Sequence, residues 1–257
     1  MKKILILCVA LFATTAIAHT IDWYVDGQVY QTTSCESGDS VTPPTPPAKY
    51  GYTFQEWYPL YKQLEYIETN GNSYINTGIP VNILTNPTIE TKFKKLVGGD
   101  IDWFGTSSTA KRTILYNVSY NNPTSVVQYI RWGTQSSIPI QGNVIPLYFY
   151  GAFHTLRLTG LPQLKIYVDD VLISTVYDEQ AKMESPEPIL IGRGRTGGGR
   201  AQWTSFKIMN NEDVLFDGIP VLRTTDGAVG LFDQASQRFF GSAGGVPLIA
   251  GPVVGSE

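Results

Sequence analysis

Reactive side chains are scarce in this chain. Its 257 residues include only two cysteines and two histidines. Cys8 lies in an apolar N-terminal stretch that reads as a removable leader, so Cys35 has no partner for an intramolecular disulfide. His154 is the only histidine besides His19, and no G-x-S-x-G segment occurs, so a Ser-His-Asp arrangement has no components to draw on. Beyond Ala18 no apolar run approaches the roughly 20 residues of a helical membrane span. Positive charge is also in deficit, with 19 basic residues against 22 acidic and a formal net charge of −3. That balance excludes a general nucleic-acid or anionic-membrane binder.

The start of the chain is informative. Lys2-Lys3 precedes the apolar run Ile4 to Ala18, which closes on Ala16-Ile17-Ala18. A basic n-region, a short h-region and an A-x-A end describe a secretory signal peptide, with cleavage expected before His19. Leu7 stands where a lipoprotein would carry a small residue before Cys8. Export without an N-terminal lipid is therefore the expectation, to an extracellular, periplasmic or surface location. Loss of Lys2 and Lys3 leaves 17 basic residues against 22 acidic, a net charge of −5. Twenty-five glycines, 16 prolines and 15 tyrosines suit an all-β extracellular protein.

Residues 19–59 form a unit of their own. Ile21, Trp23 and Val25 alternate with polar neighbours, and Asp26-Gly27 turns the chain back into Gln28-Val29-Tyr30. Pro43-Pro44-Thr45-Pro46-Pro47 cannot lie inside a sheet and reads as an extended crossover. Gly51, Tyr52, Phe54 and Trp57 follow. Together these resemble the small β-grasp-type repeat of bacterial surface proteins (the Listeria–Bacteroides, internalin B-repeat-like unit), with Glu56 where a glycine is usual. The resemblance implies a spacer or adhesive module.

Residues 60–250 are expected to form one sandwich, with 251–257 as a tail. Asn70-Gly71 is a hairpin signal between Leu64–Glu68 and Ser73–Gly78. Leu164, Ile166 and Val168 share one face of a later strand. The stretch from Ile189 to Phe240 alternates short apolar runs with Gly, Asn and Asp turns. It places strands at Ser205–Met209 and Val214–Phe216 around Asn210-Asn211, and another after Asp226-Gly227. No helix is expected. Ile191-Gly192, Gly198-Gly199, Ser205-Phe206-Lys207-Ile208, Pro220, Asp226-Gly227, Gly230-Leu231-Phe232-Asp233 and Phe239-Phe240 resemble the C-terminal half of LamG-like, concanavalin A-like lectin/glucanase domains. The opening Tyr66-Ile67 and Tyr74-Ile75-Asn76-Thr77-Gly78 resemble the start of the same family. That implies a jelly-roll β-sandwich, all-β like the unit before it, and leaves the ligand open.

Candidate chemistry concentrates in a few places. Gly192 to Gly197 satisfies G-x-G-x-x-G, but strand-like residues follow it instead of a helix, so the dinucleotide reading fails. Arg193, Arg195 and Arg200 in that loop suit a carboxylate or sulfate, against the plainer reading of a solvated loop. Trp103, Tyr129, Trp132, Tyr148, Tyr150 and Trp203 form an aromatic pool for stacking on sugar rings, with Arg131 beside Trp132. A single rim carrying Trp103, Arg131, Trp132, Arg193, Arg195, Arg200 and Trp203 is the expected ligand site. The alternative is that these aromatics are core. His154 shares parity with Leu156 and Leu158 and is expected to be packed and hydrogen-bonded.

Catalysis and metal binding find little support in the residues. Retaining glycosidases need two carboxyls about 5 Å apart, and no strand offers the alternating carboxylates of the glucanase relatives. Asp169-Asp170 is a turn, and Glu184 and Glu187 flank Ser185-Pro186. Calcium is common in LamG-like folds, but Asp100-Ile101-Asp102 and Asp178-Glu179 do not amount to a calcium loop, so no cofactor is expected. The leading expectation is a non-catalytic module that binds a glycan. The first alternative is a structural or adhesive protein contacting a surface protein, and the second is a glycoside hydrolase. No nucleic acid, and no membrane span after cleavage, is expected.

Overall fold

A computed structural model shows the architecture. It describes residues 6–7, 19–26, 28–36, 40–51, 53–54, 57, 59–96, 101–107, 113–122, 125–133, 138–140, 151–177, 179, 182–194 and 197–255. Of these, 6–7, 19, 101, 113–122, 125–129, 131 and 138–140 are described by backbone alone. The described chain is all-β and antiparallel. Its only helical turn is a 3-10 turn at Val81–Ile83. It divides into two compact units, residues 1–62 with 223–227, and 63–222 with 228–257.

In the first unit, β1 (Ile6–Leu7), β2 (His19–Val25) and β3 (Gln28–Cys35) form a sheet in that order. Ile21 and Trp23 alternate onto one face and are buried, with Cys35, Val41 and Trp57 against them. Trp23 meets Trp57 edge to face at 5.2 Å, and Trp57 Nε1 donates to Pro44 O at 3.1 Å. The proline stretch is thereby tied to the sheet by the aromatic residue that follows it. Asp26, with φ of 51°, takes the left-handed conformation at the hairpin turn. Thr224 Oγ1 donates to Pro59 O at 2.7 Å, which accounts for the return of 223–227 to this unit.

β4 (Tyr61–Gln63) runs across the boundary. The strands that follow are β5 (Ile67–Asn70), β6 (Ile75–Pro80), β7 (Pro87–Lys95), β8 (Ile101–Gly105), β9 (Thr113–Asn122), β10 (Ser125–Gly133), β11 (Ile138–Ile140), β12 (His154–Thr159), β13 (Gln163–Val168), β14 (Val171–Tyr177), β15 (Pro188–Ile191), β16 (Arg200–Asn210), β17 (Asp213–Arg223), β18 (Val229–Asp233), β19 (Arg238–Gly241) and β20 (Ile249–Ala250). They make two sheets. The smaller runs β11-β10-β9-β8-β15-β6. The larger runs β14-β13-β12-β7-β16-β17-β18-β19, with β5 paired to β16 and β20.

Alternation along these strands fills one core between the sheets. Ile89 and Phe93 of β7, Leu156 and Leu158 of β12, and Phe206 and Ile208 of β16 face Trp103, Phe104, Ile130 and Ile191 from the smaller sheet. Each such side chain contributes about 1.5–3 kcal/mol by leaving water. β16 is the organising strand. Its first residues pair with β5, its last with β17, and almost its whole length with β7.

The turns follow the sequence reading. Gly71, Asn211 and Gly227 sit at positive φ between the strands they join. Asp169 and Asp170 occupy two left-handed positions, φ 49° and 63°, where the resemblance would place an Asp-Gly pair. Their carboxylates hold the strained turn in place. Asp169 accepts Thr155 N–H at 2.9 Å and lies 2.6 Å from His154 Nδ1, while Asp170 approaches Arg157 at 3.6 Å. Burial pushes the Asp169 carboxyl up. Hydrogen bonds from His154 and Thr155, with the charges of His154 and Lys92, outweigh that and hold it below its ordinary value. His154 is therefore half-buried and paired, as its parity suggested.

Candidate functional site

The structure takes the tryptophans away from any ligand. Trp103 and Trp203 are 0% exposed and Trp132 is 1% exposed. Trp203 stacks on Phe93 at 4.8 Å and 15°, and Trp132 Nε1 donates to Gly160 O at 2.8 Å. The expectation that these three form a sugar platform is corrected: they are core. For Trp203 the cause is a β-bulge. Counting back in twos from Phe206 puts residue 203 on the outer face, but the register with β7 shifts between Trp203 and Ser205 and turns the indole inward. Arg131 lies on β10 opposite Leu115, with its side chain outside the described residues. Arg195, Tyr148 and Tyr150 also fall outside them, as does the Tyr129 side chain.

The arginine loop is brought to one end of the sandwich. The β5–β6 turn is built by Asn70, whose Oδ1 accepts the N–H groups of Asn72 and Ser73 at 3.1 and 2.9 Å. The loop after β15 packs directly on that turn. A Cβ on Gly198 would lie 2.4 Å from Gly71 O and 2.6 Å from Gly192 O. Gly192, at φ +83°, leaves no room for a side chain beside Thr69. Buried Thr69 is the hub beneath. Its Oγ1 donates to Gly199 O at 2.7 Å and accepts from Trp203 Nε1 at 3.3 Å. Trp203 thus supports the loop from below.

On this base the exposed Arg193 lays its guanidinium over the half-buried Tyr74 ring, 4.9 Å from the centroid. Tyr74 was not among the sequence candidates. The signal for it was the alternation of buried Ile75 and Thr77, which turns Tyr74 to the other face. Arg200 is held differently, by Glu68 Oε1 at 3.0 Å. Glu68 Oε2 also accepts from Gln202 Nε2 at 3.2 Å, while Gln202 Oε1 is buried with no hydrogen-bond partner among the described residues. An amide oxygen left in that state costs about 1–3 kcal/mol.

No group of three or more metal-ligating side chains occurs among the described residues. Asp102 is fully buried on β8, while Asp100 and Asp178 fall outside the described set. Glu187 Oε2 accepts from Ser107 at 3.0 Å.

No family model matches the chain, and no curated protein matches it. Solved structures do show similarity. Mouse laminin α1 chain domains LG4-5 align at 12% identity over 94% of this chain and 70% of theirs, TM-score 0.44. The Ruminococcus gnavus IT-sialidase CBM40 bound to α2,6 sialyllactose aligns at 18% over 61% and 93%, TM-score 0.41. A native heptameric SAP-like pentraxin from Limulus polyphemus aligns at 7% over 58% and 74%, TM-score 0.42. At these values the similarities assign neither a family nor a ligand.

Proposed function

We propose that this protein is a non-catalytic glycan-binding module whose ligand docks at the Arg193–Tyr74 rim. The observation that carries the reading is the exposed Arg193 guanidinium over the Tyr74 ring, 4.9 Å from its centroid, in a loop anchored by the close backbone packing of Gly192 and Gly198. A preordered guanidinium donates along its edge to hydroxyls or a carboxylate, and the phenol ring offers an apolar face beside it. Binding then costs little ordering entropy. The nearby carboxylate of Glu68 is already engaged by Arg200 and Gln202, which suits anchoring and not general acid–base work.

A glycan array on the mature protein tests this reading. Arg193→Ala and Tyr74→Ala should each weaken binding several-fold, about 1 kcal/mol, with acidic glycans losing more than neutral ones in Arg193→Ala. An array silent for the wild type, or an Arg193→Ala protein that binds like it, would overturn it.

A second reading, contact with a surface protein, is favoured by β14. This end strand of the larger sheet exposes Val171, Leu172 and Tyr177. A silent array alongside a stable complex with one protein would select it.

The proposal includes export, with residues 1–18 removed, 19–59 as a spacer or adhesive unit of the β-grasp type, and 60–250 as the binding sandwich. Cleavage after Ala18 would remove β1. N-terminal sequencing of exported material should begin at His19, and a sequence beginning at Met1 would refute processing.

A further inference from the structure

A row of side chains crosses the outer face of the larger sheet. Glu68 of β5 stands opposite Gln202 of β16, and Gln202 stands opposite Lys94 of β7. Their sequence neighbours Ile67, Ala201, Trp203 and Phe93 are buried in the core, so the row faces outward. Phe153, just before β12, extends it, with Lys94 Nζ 4.8 Å from its ring centroid. Tyr66, two residues before Glu68, sets its ring 6.1 Å from that of Phe153 with a 41° tilt. Both rings and Lys94 are half-buried, while Glu68 and Gln202 are each 8% exposed.

The hydrogen bonds define what this row lacks. Arg200 and Gln202 Nε2 both donate to Glu68. The second of these bonds fixes the Gln202 amide and leaves Oε1 as an acceptor without a donor among the described residues. A ligand completing the row must therefore donate. A bare carboxylate or sulfate group cannot, and it would also meet the Glu68 carboxylate. The two tilted rings ask in addition for an apolar face of ring size. A neutral pyranose supplies hydroxyl donors on its edge and C–H groups on its face.

We infer that Tyr66, Lys94, Phe153 and Gln202 form a carbohydrate subsite for one neutral pyranose unit, separate from the Arg193–Tyr74 rim. The sugar face lies on Phe153 with Tyr66 beside it. Gln202 Oε1 is closed to solvent in the unliganded arrangement, and the long Lys94 side chain is the mobile element of the row. When Lys94 swings off Phe153, a sugar hydroxyl donates to Gln202 Oε1 and the ammonium donates to a sugar oxygen.

Backbone amide shifts of the mature, isotope-labelled protein, titrated to about 50 mM with cellobiose, lactose, maltose and xylobiose, test the inference. At least one disaccharide should shift the amides of Glu68, Lys94, Phe153 and Gln202, with a Kd in the millimolar range. Phe153→Ala should weaken that binding about five-fold. Gln202→Leu, of similar volume, removes the orphaned Oε1 together with the Nε2–H donated to Glu68, so the melting temperature should change little while binding weakens about ten-fold. Arg193→Ala should leave these shifts unchanged, so this subsite and the rim fail independently. The inference is overturned by no shift at those amides with any of the four sugars. It is equally overturned by Phe153→Ala and Gln202→Leu proteins that bind like the wild type.

Discussion

Trp203→Ala is expected to lower the unfolding free energy by about 3–5 kcal/mol. The indole is 0% exposed, lies face to face with Phe93 at 4.8 Å and meets Phe206 at 6.2 Å. Its removal opens a cavity at the centre of the sandwich and also withdraws the Nε1–H donated to Thr69. Trp203→Phe largely separates the two losses, because it keeps much of the volume while forfeiting the hydrogen bond. That variant should cost on the order of 1–2 kcal/mol. Urea unfolding reads both, as a shifted midpoint at an unchanged slope. A Trp203→Ala protein of wild-type stability that has lost glycan binding would return the residue to the surface and refute the burial argument.

The second large effect concerns pH. Lys95 is 2% exposed on the inner side of β7, with its Nζ 5.1 Å from the Trp103 ring centroid. Burial pushes its ammonium well below the ordinary lysine value. In the window between the lowered folded value and the ordinary one, the unfolded chain carries a proton that the folded chain does not. Stability therefore rises with pH across that window, by up to about 1.4 kcal/mol per unit. As pH falls, that part of the stability is lost until the folded lysine also takes up its proton. Unfolding free energies for wild type and Lys95→Met between about pH 7 and pH 9.5 isolate the residue, since the other groups cancel in the difference. The wild-type curve should climb relative to the variant's. Parallel curves would show that the amine titrates as an exposed lysine does.

What could be read from the chain followed from local chemistry. Asn70-Gly71, Asn210-Asn211 and Asp226-Gly227 announced their turns because few residues accept positive φ. The shared parity of Leu164, Ile166 and Val168 announced a buried face. The fate of the tryptophans could not be read, because it depends on register. A bulge carries no fixed sequence mark, and the one after Trp203 reverses which neighbours share its face. The arginines looked alike in sequence, yet Arg200 is spent on Glu68 while Arg193 rests on Tyr74. That difference is decided by a pairing across residues 132 apart, which no local pattern reports.

The pairing of β16 also has a consequence for the chain during synthesis. β5 and β7 emerge early, but each depends on β16 for a neighbour, and β5 takes its other one from β20 near the end of the chain. The Thr69–Gly199 hydrogen bond alone spans 130 residues. At roughly 5–20 residues per second on a ribosome, that separation leaves the early strands with open edges for about 7–25 s. Closing so many distant pairs together makes folding slow, with most of the loop entropy paid before the rewarding contacts form. A nascent chain stopped anywhere before residue 200 would lack Trp203, Phe206 and Ile208 of β16, leaving Phe93 without its stacking partner and the core incompletely covered, and would be a natural client for a holding chaperone.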